Sequence, residues 1–409
     1  MADTARVTSQ EDAAQPPDQA PTPARLFADC VVLGLTAWGG FMALLAQAQE
    51  RFVKQRRWVG EKEFLDLIAL VTMLPGPQAV NAIAAMGHRV GGWAGFVAAL
   101  VGIVLPGFAI IVTLWFGYSA LSGQPSLLRA FTIGVLPPLA MILAQAAWAQ
   151  SKKAAPGRRE QVLALAAAVL LLAIPAWSAP IIVLALGALV ARLFWAPPKV
   201  AEAAAGRGLG RLELLLCFAP LGLAVFQLVP ALLPEALVAR VGLAFAGLGT
   251  TLFGGGLVMV PLLEGLIVDH LGWLTHTGFA AGLAASQLTP GPILSIATFA
   301  GMEAAGLAGA LAATVGIYLP TALVCVGVGG VADKLKGSRN FQHAMLGVRC
   351  AVVGLIAGAA ASLLLKLPLQ AHAWQSAVLV AVAWALVWRF KLPPYLSLPA
   401  GAVVAWVLL

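Results

Sequence analysis

Charge is what this chain is short of. Asp, Glu, Lys and Arg make up 10% of its 409 residues, against 61% apolar residues and a mean hydropathy of +0.92. A soluble domain carries about 25% charged residues, so that class is excluded and a polytopic membrane protein remains. The apolar runs are rich in Ala, Leu, Val and Gly and lack sustained alternation of period two, which excludes a membrane β-barrel. The fold class expected is all-α. Cysteine is nearly absent: Cys30, Cys217, Cys325 and Cys350 stand singly in apolar runs without metal-ligand spacing, which fits packing. Missing too are HExxH, aspartates paired across spans and a nucleophile with its base, which argues against a membrane enzyme; neither metal nor cofactor is expected. There is no P-loop, so ATP-driven transport would need another subunit. Residues 1–25 are polar and proline-rich and lack the basic start, apolar run and cleavage site of a signal peptide; a disordered tail is expected there.

The net charge of +8 sits in short loops between apolar runs, where Lys and Arg set orientation, so no nucleic-acid partner is expected and the lipid bilayer is the surrounding medium. Comparison of the chain with itself shows a repeat. "AWGGF" at Ala37 matches "LFGGG" at Leu252, Trp58 matches Trp273, Phe64 matches Phe279 and "PGP" at Pro75 matches "PGP" at Pro290, each pair 215 residues apart. The register then drifts by one or two residues, aligning "LP" at Leu105 with Leu319 and "GV" at Gly134 with Gly347. The chain divides into the tail, a first repeat over 26–196, a linker with a connecting span over 197–240, and a second repeat over 241–409.

Loop charges give orientation. Arg51, Lys54, Arg56, Arg57 and Lys62 crowd the loop after the first apolar run, whereas its mate, Glu264 to Thr277, carries acids and histidines but no Lys or Arg. The positive-inside rule puts the two copies on opposite faces, an inverted repeat with the N-terminus in the cytoplasm. If every apolar run crosses once, thirteen spans result and the Arg51 to Lys62 loop lands on the wrong side. If the runs around Gly39-Gly40, Pro75-Gly76-Pro77, Gly254-Gly255-Gly256 and Pro290-Gly291-Pro292 dip to mid-membrane and return, every basic loop falls inside. The flanking runs, Leu26 to Trp38 and Phe64 to Leu74, are short enough for re-entrant pieces. Both arrangements invert the repeat.

Proline removes a backbone donor and disfavours helix at the residue before it, so each PGP leaves polar backbone groups without helical partners. In hydrocarbon such groups survive only when buried in protein or lining a wet cavity. A helix restarting after Pro77 aims free amides and a positive dipole end into mid-membrane, an anion seat. Gln78 and Asn81 follow the first break, and Ser286, Gln287, Thr289 and Ser295 surround the second. The competing reading is a proline kink packed by small residues. Arg349, inside an apolar run, either neutralises a passing anion or snorkels from a helix starting later. His88-Arg89 fits an anion-attracting mouth or a positive-inside anchor, Glu63 and Asp66 fit dipole capping or proton coupling, and Glu303 receives no role.

The doubled "GG…RRW…F…LPGP…GW.G…G..LP" pattern, with "FGGGLVMVPLL", "SQLTPGP" and "GLAGALAATVGIYLP" in the second copy, resembles the chromate ion transporter family in its long, two-domain form. The resemblance covers most of the chain after the tail. It implies export of chromate, a tetrahedral oxyanion like sulfate, from the cytoplasm across the inner membrane of a bacterium; inverted repeats with broken helices favour a secondary transporter of alternating-access type. It also marks Trp58, Pro106, Pro261, Trp273 and Pro320 besides the glycines and prolines of the breaks. Two departures from the family's pattern, "GGFMALL" and "GFAAGLA", leave the exact substrate and any proton coupling open. The rival is uptake of sulfate or another oxyanion coupled to protons or sodium; a channel is the other-class alternative, and a homodimer is one open arrangement.

Overall fold

Thr22 opens the fold: its hydroxyl accepts the Arg25 N–H at 3.4 Å, and Pro23 takes the first helical position, where a missing N–H costs nothing. Helix α1, Pro23–Thr36, follows, so residues 23–25 belong to a helix rather than to the tail. The computed structural model describes residues 21–38, 40–72, 74–121, 123–174, 176–195, 236–252, 256, 259–328, 339–367 and 373–408; the start of the tail and the connecting span expected near 214–230 lie outside them. Regular structure among the described residues is helical throughout.

After α1 the chain reverses. Helix α2, Gly40–Ala48, passes into a π turn, Gln49–Gln55. Thr36 Oγ1 lies 3.1 Å from Gln47 Oε1, and farther from the break Asp29 accepts from Arg51 Nε and Arg56 Nε, both at 2.9 Å. Moving outward on one arm moves outward on the other, the signature of an antiparallel hairpin. A straight continuation at 1.5 Å per residue would set Asp29 and Arg51 about 33 Å apart. A second hairpin follows: α3, Glu61–Val71, and the start of α4, Gln78–Leu121, are tied by Arg89 Nη1 to Glu63 Oε1 at 3.0 Å. α4 itself turns back at Gly91 and Gly92, the latter at φ 60° and ψ −151°, which only glycine adopts readily. Its two arms close on Gly87 and Gly95, where a Cβ on Gly95 would stand 2.2 Å from the Gly87 carbonyl oxygen. Helices α5, Pro125–Ala154, α6, Arg158–Ala173, and α7, Ala179–Phe194, complete the half.

The second half repeats this order. Helix α8 is Leu237–Thr251; α9, Met259–Glu264, runs into a π turn, Gly265–His270; α10 is His276–Leu288. Helix α11 opens with a 3₁₀ turn, Ile293–Ser295, and continues over Ile296–Val328, turning back at Ala305 and Gly306. Helices α12, Arg339–Leu365, α13, Ala373–Trp384 with a π turn Ala385–Arg389, and α14, Pro394–Leu408, follow. The repeat therefore covers α6 and α7 as well, with α13 and α14 as their mates. Gln78 and Ile293 are 215 apart, but the turns at Gly92 and Gly306 are 214 apart. The 3₁₀ turn accounts for this drift. Thirteen α residues from Gln78 to Val90 rise about 19.5 Å at 1.5 Å each. Three 3₁₀ residues at about 2.0 Å plus nine α residues, Ile293 to Ala304, rise the same distance with one residue fewer.

The halves are woven together. Gly134 of α5 packs on Gly401 of α14, where an added Cβ would meet the Gly401 carbonyl oxygen at 2.5 Å. Gly347 of α12 packs on Gly187 of α7, where an added Cβ would meet the Gly187 carbonyl oxygen at 2.0 Å. Small residues give the backbone contact that holds helices together where no hydrophobic driving force separates lipid from protein. Outward-facing apolar side chains also recur in register: Trp93, Val97 and Val101 on α4 match Leu307, Leu311 and Val315 on α11, all exposed and all 214 apart. Stripes this apolar need a nonpolar medium. With Gln78–Leu121, Ala130–Ala154, Ile293–Gly327 and Gln342–Leu365 long and apolar enough to cross a bilayer, the chain is a multi-pass membrane protein.

Candidate functional site

The hairpin tips of the two halves meet. Pro77 has no N–H, and the first amide of α4 to find a carbonyl across the tip is that of Asn81, 2.9 Å from the Pro77 oxygen. Helix geometry leaves the amides of Gln78, Ala79 and Val80 without an intrahelical acceptor. At the other tip the Ser295 N–H reaches the Pro292 oxygen at 3.2 Å, leaving the Ile293 and Leu294 amides ahead of it. Pro77 to Val80 and Gly291 to Leu294 line one small cavity of about 40 Å³, closed by Phe41 and Leu44 of α2 and by Gly256. Two helix starts thus face a space large enough for a few water molecules.

Crossed backbone bonds hold the tips. The Gly76 N–H donates to the Leu252 carbonyl at 2.7 Å, and the Gly291 N–H donates to the Ala37 carbonyl at 3.0 Å. Donors and acceptors are both 215 apart, so one hydrogen bond is made twice, each time between a PGP of one half and the residue two positions ahead of the glycine break of the other. Gly76 sits at φ 117° and Gly291 at φ 96°, left-handed backbone that favours glycine.

The sequence-nominated residues fall in different settings. Pro77, Gln78, Gly256, Gly291 and Pro292 line the cavity. Pro75, Gly76 and Pro290 are buried in the tips, and Gly40 opens α2 just before Phe41. Asn81 braces the tip: its amide donates to the Pro75 carbonyl at 3.5 Å and its carbonyl accepts from Thr321 Oγ1 at 3.2 Å. Thr289 spends its hydroxyl on the Ser286 carbonyl at 3.0 Å, Gln287 is buried at the end of α10, and Ser295 Oγ is buried with no hydrogen-bond partner among the described residues. Gly39, Gly254 and Gly255 lie outside the described residues.

Arg349 stands apart from the tips. It projects from α12, ten residues after Arg339 opens that helix, into a separate chamber of about 230 Å³. Thr72, Gln78, Gln150, Lys153 and Met345 share that chamber's wall, so Gln78 is common to both spaces.

Two charged clusters carry no motif and escaped sequence reasoning as units. Asp29, 3% exposed, holds Arg51 and Arg56 across the first hairpin. Glu264, 7% exposed, accepts from Lys366 Nζ and lies 3.1 Å from His276 Nδ1. The available signal was a carboxylate inside an apolar run, which needs a partner when buried. Glu303 accepts from Trp115 Nε1 at 2.7 Å, joining the far end of α4 to the turn in α11. Among the described residues no group of three His, Cys, Asp or Glu side chains is placed to hold a metal ion.

Comparison with known proteins places these features. The model of the Chromate transporter family matches residues 24–192 and again residues 239–406. The Chromate transport protein of Pseudomonas aeruginosa is 28% identical over 407 residues, 97% of this chain and 94% of its own length. That of Cupriavidus metallidurans is 28% identical over 382 residues, covering 91% and 89%. The Probable chromate transport protein of Synechococcus elongatus is 30% identical over 332 residues, covering 80% and 81%. No solved structure matches the chain.

Proposed function

The chain belongs to the chromate transporter family, and from that premise we propose that it is a secondary transporter that carries chromate, a divalent tetrahedral oxyanion, out of the cytoplasm across the inner membrane. The two halves are inverted repeats in the bilayer, and their hairpins are re-entrant. The amides of Gln78 to Val80 and of Ile293 and Leu294 form the anion seat at their meeting point, and alternating access exposes that seat to each face in turn. The single observation that carries the reading is the doubled tip contact, Gly76 to Leu252 and Gly291 to Ala37, around one cavity.

The physics supports each part. Unpaired amides in a membrane interior cost several kcal/mol each, so five facing one space need an occupant that accepts hydrogen bonds. Backbone donors and dipole ends supply partial charges, which hold an oxyanion without trapping it as a full ion pair would. With re-entrant hairpins, Arg25, Arg51 to Lys62, Arg89, Lys152 to Arg159, Lys334 to Arg339, Arg389 and Lys391 all fall on one face, and Glu264, Asp269, Glu303 and Lys366 on the other. A potential of 100 mV, negative inside, drives a dianion outward with about 4.6 kcal/mol, so export proceeds downhill in charge.

Flux of labelled chromate into inside-out vesicles tests the reading. The expected result is saturable flux that an ionophore lowers by collapsing the potential, and that Pro77→Ala and Gly291→Ala each reduce at least tenfold. Flux linear in concentration and equal in all variants would remove both the seat and the carrier mechanism.

A further inference from the structure

The chamber that holds Arg349 contains a second cation that sequence reasoning treated as a loop anchor. Lys153 closes the last turn of α5, and Arg349 reaches the same space from α12; neither is joined to a carboxylate in any ion pair among the described residues. Glu160, near the start of α6, is the closest acid in sequence and makes no ion pair with either. Gln78 lines both this chamber and the cavity between the tips. Lys153 lies at the end of α5 that the charge pattern assigns to the cytoplasmic face, so the chamber opens on the side from which an exported anion arrives.

We propose that the chamber is a docking site for a divalent tetrahedral oxyanion, with Lys153 and Arg349 supplying two positive charges and Gln78 handing the anion to the tip seat. The inference rests on the transporter reading. Both side chains are exposed to the chamber, and two like charges lining one cleft raise the local concentration of anions there. Arg349 offers a planar fork for two oxygens, Lys153 a point charge, and together their count matches a dianion. About 230 Å³ accommodates such an ion with part of its water shell, whereas the cavity of about 40 Å³ between the tips demands that the shell be shed. Docking ahead of dehydration lets the two cations offset the cost of stripping water from the ion.

The test is the concentration dependence of labelled chromate and sulfate flux into inside-out vesicles, with folded transporter quantified by size-exclusion fluorescence. Lys153→Gln, Lys153→Met and Arg349→Gln should each raise KM about tenfold, which is about 1.4 kcal/mol. Lys153→Arg should stay within about twofold of the parent, because it keeps the charge. Raising the salt concentration should shrink the difference between parent and neutral variants. An unchanged KM in Lys153→Gln and Lys153→Met, or a Lys153→Arg variant as weak as Lys153→Gln, overturns the docking site. Failure of the seat reads differently: Pro77→Ala would then leave flux at saturation intact while the chamber variants still moved KM.

Discussion

Gly76→Ala is the sharpest perturbation of the tip. Gly76 adopts φ 117°, and a Cβ placed there would lie 2.6 Å from Asn81 Nδ2 and 2.6 Å from Thr321 Cβ, closer than real Cβ contacts come. The backbone conformation costs an L residue about 1–3 kcal/mol, and forcing a methyl into a packed tip costs about 1–3 kcal/mol more, so the sum is about 2–6 kcal/mol. Gly92→Ala isolates the first contribution: it has φ 60° but nothing within 4 Å of an added Cβ, so about 1–3 kcal/mol is expected. Thermal inactivation of purified protein in detergent, followed by the fraction that stays monodisperse, ranks the two. Gly76→Ala should inactivate faster than Gly92→Ala, and surviving protein should carry labelled chromate at a tenth of the parent rate or less, because the Asn81 brace and the start of α4 are displaced. A Gly76→Ala variant as stable as Gly92→Ala, with parental flux, would refute the argument that Asn81 and Thr321 fix the tip.

The buried cluster in the first hairpin makes a second prediction. Asp29→Ala removes the carboxylate that Arg51 and Arg56 share and, since the two arginines are 26% and 30% exposed, should cost about 1–3 kcal/mol of resistance to thermal inactivation rather than the full penalty of a buried ion. The positions 215 residues on are Ala244, Leu266 and Leu271, so the triple change Asp29→Ala, Arg51→Leu, Arg56→Leu should recover most of that loss; no recovery would mean the two hairpins do not pack alike. Single cysteines at Arg57 and at Asp269, in a background free of Cys30, Cys217, Cys325 and Cys350, should react with an impermeant maleimide from opposite faces of the membrane. Labelling of both from one face would end the inverted arrangement.

The repeat was legible because glycine and proline mark positions where only they serve: Gly76 and Gly291 sit at left-handed φ, and their spacing survives in the sequence. The pairing of arms was less so. Asp29 with Arg51, or Glu63 with Arg89, is a contact between ordinary charged residues that no local pattern announces. Asn81 was nominated as a ligand residue because it follows the break, yet its partner Thr321 lies 240 positions away, and only the packed tips show that its amide is engaged. Gly134 and Gly347 aligned as a repeat pair, but their partners, Gly401 and Gly187, come from opposite halves. Lys153 read as one more basic loop residue, since its function depends on a helix from the other half.

That exchange of helices has a consequence for biosynthesis. When α5 leaves the ribosome, the surface around Gly134 has no counterpart until α14, which supplies it, has been made. The first half must wait in the bilayer with that seam open until α14 arrives to close it.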